Sequence, residues 1–270
     1  MNDLPIFDSL VHPTLDGRWL VPEAPPVCRI EDLIGAMRAH DIRWALAAGM
    51  EGIGSYSEGA YIEMINRYPD ILFPIAFYPA HRITSRQAVR EWVRRVKSLG
   101  YRGVKVHPRL SDLALSDPLL PELASSCSEA EMTFMLCTYF YSSRPGGSRN
   151  TIDALGAFLE SIGDARIILL HGGSVRLLET IELARAFTNV LLDLSFTLCK
   201  YEGSSIDHDL RYAFESFDRR ICIGSDHPNF SLQDLRRRFE QFSAGLDREK
   251  RHNIAHRNML HFMGVEDACR

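Results

Sequence analysis

His, Asp and Lys recur at the ends of short apolar runs in this 270-residue chain, where they could move protons, bind a metal or polarise a carbonyl. The segments are Asp8-Ser-Leu-Val-His12, Lys105-Val-His107, Leu169-Leu-His171 and Gly224-Ser-Asp226. On a strand, residues two apart share a face. Asp8, Leu10 and His12 therefore form one row, Lys105 and His107 a second, Leu169 and His171 a third, and Gly224 and Asp226 a fourth. A carboxylate and imidazoles suit proton transfer, and a cation within an apolar strand suits a substrate carboxylate or a developing oxyanion. The set fits an enzyme with a His/Asp/Lys site holding one metal ion or none.

Each residue also has a plainer reading. Asp226 ends the apolar run Ile221-Cys-Ile-Gly224 and could serve as general base, or as N-cap of the helix that follows. His171 precedes Gly172-Gly173, which would let a ligand approach the backbone; His171 and His12 could equally be core histidines bonded to carbonyls. Lys105 needs a carboxylate partner or a depressed pKa, and a structural ion pair with Asp8 would supply the former. His107 is placed for acid–base work or merely lines the mouth. Cys137 reads as a buried thiol or as a nucleophile paired with His171. The run Arg236-Arg-Arg238 reads as a solvated helix face.

Elements that must position these residues alternate along the chain. Strand signals cover residues 4–11, 42–48, 71–78, 103–107, 132–137, 166–171, 190–194 and 220–223. Helical signals fall at 30–40, 56–68, 85–99, 151–162, 206–217, 232–244 and 248–262. In the third of these, Val89, Trp92, Val93, Val96 and Leu99 share a stripe, with Gly100 as C-cap. Strands rich in β-branched residues and Leu argue a parallel sheet buried on both faces, and eight of them close a barrel. An open doubly wound sheet would carry a Gly-rich phosphate loop after its first strand, and residues 8–16 have none. The expectation is one (β/α)8 barrel domain over residues 1–270, with its site at the C-terminal mouth.

Composition sets bounds. A 46% hydrophobic content supports a large core, and a net charge of −4 gives no reason to expect nucleic acid or an anionic membrane as partner. The six cysteines form no Cys-x-x-Cys pair, as expected of reduced thiols in a cytoplasmic protein. The first residues lack the pattern of a signal peptide. Arg18, Arg82, Arg109, Arg144 and Arg149 fall in loops expected at the mouth, beside Trp19, Tyr139, Phe140 and Tyr141. Arginine forks favour carboxylate or phosphate, so the cluster points to a small anionic substrate. The segment from Tyr141 to Arg149 reads as a lid.

The order and placement of these motifs resemble the amidohydrolase-2 branch of the amidohydrolase superfamily, a group of hydrolases, decarboxylases, hydratases and lactonases. Gly103, Lys105, His107 and Pro108 match its fourth-strand motif, and His171 its sixth-strand His. Gly224, Ser225, Asp226 and Pro228 match its eighth-strand motif, and Ile254 and Asn258 its closing helix. The resemblance implies a barrel that can hold one divalent ion, such as zinc, and the ligands that remain for it are His12, Asp226 and one of Cys137 or His171. Leu10 stands where the family has a first-strand His, and Cys137 where it has a fifth-strand His, which leaves a metal-free site open. The expected function is hydrolysis of a small anionic substrate at an ester, lactone or amide carbonyl, with Asp226, His171, Lys105 and His107 catalytic. Arg18, Arg109, Arg144 and Tyr139 would bind the substrate. Decarboxylation and a degenerate binding protein are the alternatives, and a homo-oligomer is compatible with either.

Overall fold

The structure is a computed structural model that describes residues 4–20, 28–141 and 150–265. Eight strands, β1 (Ile6–Val11), β2 (Ile42–Ala48), β3 (Leu72–Phe77), β4 (Gly103–Val106), β5 (Thr133–Cys137), β6 (Ile167–Leu170), β7 (Val190–Asp193) and β8 (Ile221–Cys222), pair in parallel in chain order. Ser9 N donates to Ile223 O at 3.0 Å and Asp226 N to Leu10 O at 3.0 Å, joining β1 to the chain leaving β8. The expected (β/α)8 barrel is therefore what forms.

The helices are α1 (Ile30–Ala39), α2 (Glu58–Ile65), α3 (Arg86–Ser98), α4 (Leu119–Glu129), α5 (Ile152–Ser161), α6 (Leu177–Ala186), α7 (Thr197–Lys200), α8 (Ile206–Ser216), α9 (Leu232–Ser243), α10 (Arg248–His252) and α11 (Asn258–Met263). Each long one lays an apolar stripe on the outside of the barrel. In α3, Val89, Trp92, Val93 and Val96 are buried, and the Ser85 side chain caps the N-terminus by accepting from Ala88 N. Leu99 does not extend the stripe; it is exposed at the helix end, followed by a left-handed Gly100. No helix among the described residues is long and apolar enough to cross a membrane.

Two apolar layers separate cleanly. Val104, Val106, Phe134 and Leu136 face the helices, whereas Met135, Ile168, Leu170 and Leu191 fill the barrel interior. Met259 and Leu260 of α11 join the interior cluster from the N-terminal end, beside Trp44. There His256 Nδ1 lies 2.9 Å from Pro5 O, tying the two ends of the chain together. The arginine run on α9 is not a solvated face. Arg237 is exposed and pairs with Glu202, but Arg238 is fully buried, bonded to Leu198 O, Asp207 and Gln241. Successive helical residues point about 100° apart, so three in a row cannot share one exposure.

Candidate active site

Strand pleating aims only part of the site. On β4 it works as expected: Val104 and Val106 face the helices, so Gly103, Lys105 and His107 face inward. Gly103 is required there, because a Cβ would lie 2.6 Å from Thr133 O on β5. On β1 the simple row fails. Phe7 and Leu10, three apart, both lie in the interior cluster, and pairing with β2 is irregular between Asp8 and Val11. This bulge turns Asp8 into the β1–β8 seam, where Oδ1 accepts from Leu10 N and Ser225 N and Oδ2 from Ser225 Oγ. Asp8 thus binds Ser225 rather than Lys105. Burial raises its pKa to about 7 against those hydrogen bonds.

The β6 row also departs from expectation. Ile168 and Leu170, not Leu169, face inward, so regular pleating would send His171 outward. Instead His171 has φ 68° and swings back over the mouth; Phe196 after β7 (φ 63°) and Asp226 after β8 (φ 55°) are also left-handed. Non-glycine residues rarely adopt this conformation, Asn, Asp and His most readily, and such strain gathers at functional sites.

One half of the site centres on Lys105. Its Nζ lies 3.0 Å from His12 Nε2, and His12 Nε2 lies 3.4 Å from Asp226 Oδ1. His12 Nδ1 sits 2.7 Å from Ala48 O, a pure acceptor, so Nδ1 carries the proton and Nε2 offers its lone pair to Lys105. Burial and the Lys105 charge lower the His12 pKa to about 4, so the ring is neutral. Burial also lowers the Lys105 pKa, while Asp226, Cys137 and Asp193 pull it back up. For Asp226, burial favours the acid, but the charges of His171 and Lys105 hold it far below the usual carboxylate range. Asn229 Nδ2 donates to Asp226 Oδ2 at 2.7 Å. Asp226 is not a helix cap: α9 is capped by Ser231, reciprocally with Asp234. Trp19 stacks on His12 at 5.1 Å and donates to Asn229.

The other half centres on buried Cys137, which interacts electrostatically with His107 and His171. Burial would raise its pKa, but the two imidazoles hold the thiol well below its usual range. Burial likewise works to lower the His171 pKa, and Cys137 overrides it, raising it to about 9. His171 Nδ1 lies 3.1 Å from Ser195 O and 3.2 Å from Ser195 Oγ, and Ser195 Oγ donates in turn to Asp193. Asp193 also accepts from His171 N and Ser9 Oγ. Sequence reasoning missed Asp193 and Ser195. The signal was the one used elsewhere, an acid closing the apolar run Val190-Leu-Leu-Asp193.

His12, Lys105, His107, Cys137, His171 and Asp226 thus converge at the C-terminal mouth, all nearly inaccessible. Above them, Arg109 lies over the Tyr139 ring at 5.0 Å, and Tyr139 packs edge-on against Phe196, which touches His171. Arg18 is exposed on the loop after β1, with its backbone N–H bonded to Asp16, and Arg82 pairs with Glu51. Neither reaches the cluster through a contact shown here. Arg144, Arg149 and the segment read as a lid beyond Tyr141 lie outside the described residues.

The expected metal set does not fit. Among the described residues, no three His, Cys, Asp or Glu side chains are grouped to hold an ion. The reason is in the donors. Leu10 cannot ligate, and the Nε2 lone pair of His12 is taken by the Lys105 ammonium. A catalytic zinc needs about three protein donors around an open position, and a lysine charge stands in theirs.

The fold has many likenesses among solved structures. An uncharacterized TIM-barrel protein, Bb4693, from Bordetella bronchiseptica superposes with a TM-score of 0.80 at 20% identity, covering 99% of this chain and 100% of that one. IDCase of Metarhizium anisopliae gives 0.69 at 16% identity, with 99% of each chain covered. A 5-carboxyvanillate decarboxylase from Novosphingobium aromaticivorans, complexed with manganese and 4-hydroxy-3-methoxy-5-nitrobenzoic acid, gives 0.56 at 12% identity, covering 86% of this chain and 79% of that one. No curated protein matches the sequence. A family model described as Amidohydrolase matches residues 52–260, which carry five of the six converging residues. On that match, joined to the barrel and its ring of strand-end residues, this chain belongs to the amidohydrolase family, in its amidohydrolase-2 branch.

Proposed function

We propose that this chain is a metal-independent hydrolase that cleaves a small anionic substrate at an ester, lactone or amide carbonyl. The observation that carries the reading is the buried Lys105 ammonium, whose Nζ is fixed by His12 and whose charge acts on Asp226. A preorganised cation in a dry site is well suited to a developing oxyanion. In this reading the substrate carbonyl oxygen rests on Lys105, and Arg109 with Tyr139 receives the anionic group at the rim. Asp226 orients the attacking water and takes its proton. Its depressed pKa makes it a weak base, so its contribution belongs at the low end of the usual range, about 10²-fold.

A panel of carboxylated esters, lactones and amides tests this, with aromatic carboxylic acids included because decarboxylases share the fold. Hydrolysis should survive prolonged chelation, and elemental analysis should find less than stoichiometric metal. Lys105→Met should lower kcat by about 10²–10³-fold, the cost of one oxyanion donor. Release of carbon dioxide without hydrolysis would identify a lyase instead. Tight binding of a carboxylate without any turnover would identify a binding protein.

A further inference from the structure

We propose that a cleft at the N-terminal end of the barrel, opposite the candidate active site, binds a phosphorylated small molecule. The cleft encloses about 1020 Å³ beneath the starts of β6, β7 and β8, against the chain of α10 and α11. Its lining carries Arg166 just before β6, Arg219 and Arg220 just before β8, and Arg257 between α10 and α11, with the acids Asp164 and Glu249. With the lining histidines neutral, four guanidiniums against two carboxylates leave two formal positive charges. A phosphate monoester carries about −1.5 to −2 near pH 7, which matches them.

These cations are positioned without being neutralised. Arg219 pairs with Glu249 at 2.8 Å, whereas Arg166, Arg220 and Arg257 form no ion pair among the described residues. Arg220 Nη2 donates to Phe187 O and, at 2.9 Å, to Val190 O, and its guanidinium lies 5.3 Å from the Phe217 ring centroid. Arg166 Nη2 reaches His261 O at 3.4 Å, with its guanidinium 4.4 Å from the Phe262 centroid. Carbonyl oxygens and aromatic faces thus hold two cations in place and leave their charge for a ligand. Three unpaired forks from different elements suit a tetrahedral anion with three terminal oxygens better than a planar carboxylate with two. The volume lies at the upper end for small-molecule sites and exceeds what a phosphate alone fills. The ligand therefore carries an organic part, for which Phe262, Leu191 and Leu260 supply apolar wall.

The backbone marks the same place independently. Between α10 and α11, Asn253–Arg257 form a π-helical turn, a rare form found frequently at functional sites. Asn253, His256 and Arg257 of this turn all line the cleft. The asparagines serve the fold: Asn253 Nδ2 donates to Asp218, and Asn258 Nδ2 to Asp218 O and Ile221 O. Arg257, by contrast, is exposed and makes no hydrogen bond among the described residues. Its guanidinium has no structural duty there, which suits a ligand contact.

The test is isothermal titration calorimetry of the full-length protein with phenyl phosphate, inorganic phosphate and benzoate. Phenyl phosphate should bind at one site per chain, about tenfold or more tighter than either of the others. Arg166→Gln and Arg257→Gln each remove one charged donor and should each weaken that binding by about tenfold or more. Both should keep the wild-type circular dichroism, since neither residue forms an ion pair in the fold. Arg109→Gln, at the opposite end, should bind phenyl phosphate as the wild type does. No saturation at millimolar phenyl phosphate overturns the proposal. So does binding that survives both cleft variants, or that is lost in Arg109→Gln, because the ligand then sits at the mouth. Equal affinity for benzoate overturns phosphate as the recognised group, and equal affinity for inorganic phosphate overturns the organic ligand.

Discussion

At the scale of single residues, the site is a set of buried charges whose neighbours decide their protonation. Asp8 is the clearest case. Its pKa is raised to about 7 by burial, against 3.8 in the unfolded chain. Between those values the folded state holds more protons, so the stability this group contributes is full below about pH 4 and lost as pH rises to 7. Asp8→Asn mimics the protonated form and does not titrate. Denaturant unfolding at pH 4.5 and pH 8 should therefore show the variant gaining on the wild type at the higher pH. A constant difference across that range would mean Asp8 is ionised throughout. Lys105, His107, His171 and Asp226 were legible in the sequence because each interrupts an apolar run. Their depth was not: Asp226 is buried, enclosed by His12 and Asn229, which no residue of its own strand announces.

At the scale of elements, the alternation of side chains was legible on β4 and failed on β1 and β6. A bulge after Asp8 and a left-handed turn at His171 both change side-chain direction without changing residue type, so periodicity cannot register them. Two crossover helices, α4 and α6, lie outside the helical signals of the sequence. In α4, Pro121 and Ser125-Ser126 weaken the helical signal although Leu120, Leu123 and Cys127 keep helical spacing. The β1–β8 seam is where element geometry and chemistry meet. A Cβ on Gly224 would lie 2.5 Å from Ser9 Oγ, 2.9 Å from Asp8 Oδ1 and 3.0 Å from Leu10 N. Gly224→Ala should cost about 1–3 kcal/mol, as overpacking does, and shift Asp226 because its N–H is bonded across that seam. Unchanged stability and turnover in this variant would show that the seam yields freely.

At the scale of the whole molecule, the barrel separates chemistry at one end from closure at the other. The (β/α)8 architecture was fully legible, since it depends on the count and order of apolar runs rather than on any one side chain. The closing contact was not, because it joins Pro5 to His256 across nearly the whole chain. Burial lowers the His256 pKa to about 4, from 6.5 unfolded. Over that interval the unfolded chain binds more protons, so this contribution is present above pH 6.5 and lost as pH falls towards 4. In His256→Gln that loss is gone, and the variant's deficit relative to wild type should narrow between pH 7 and pH 4.5 in thermal melts. A deficit that widens in acid would show the imidazole charged in the fold.

The left-handed backbone at His171 and Asp226 has a consequence for how this site can change through descent. The non-glycine residues that tolerate it best are Asn, Asp and His. Their codons differ only in the first base. Each strand end can therefore exchange a base, an acid and a neutral amide through single nucleotide changes, with little cost to the backbone at any step. Most other replacements would have to bear the conformational penalty as well as the chemical one. The genetic code and the dihedral angle thus confine these two positions to a small alphabet of proton-handling side chains, within which new activities lie one mutation apart.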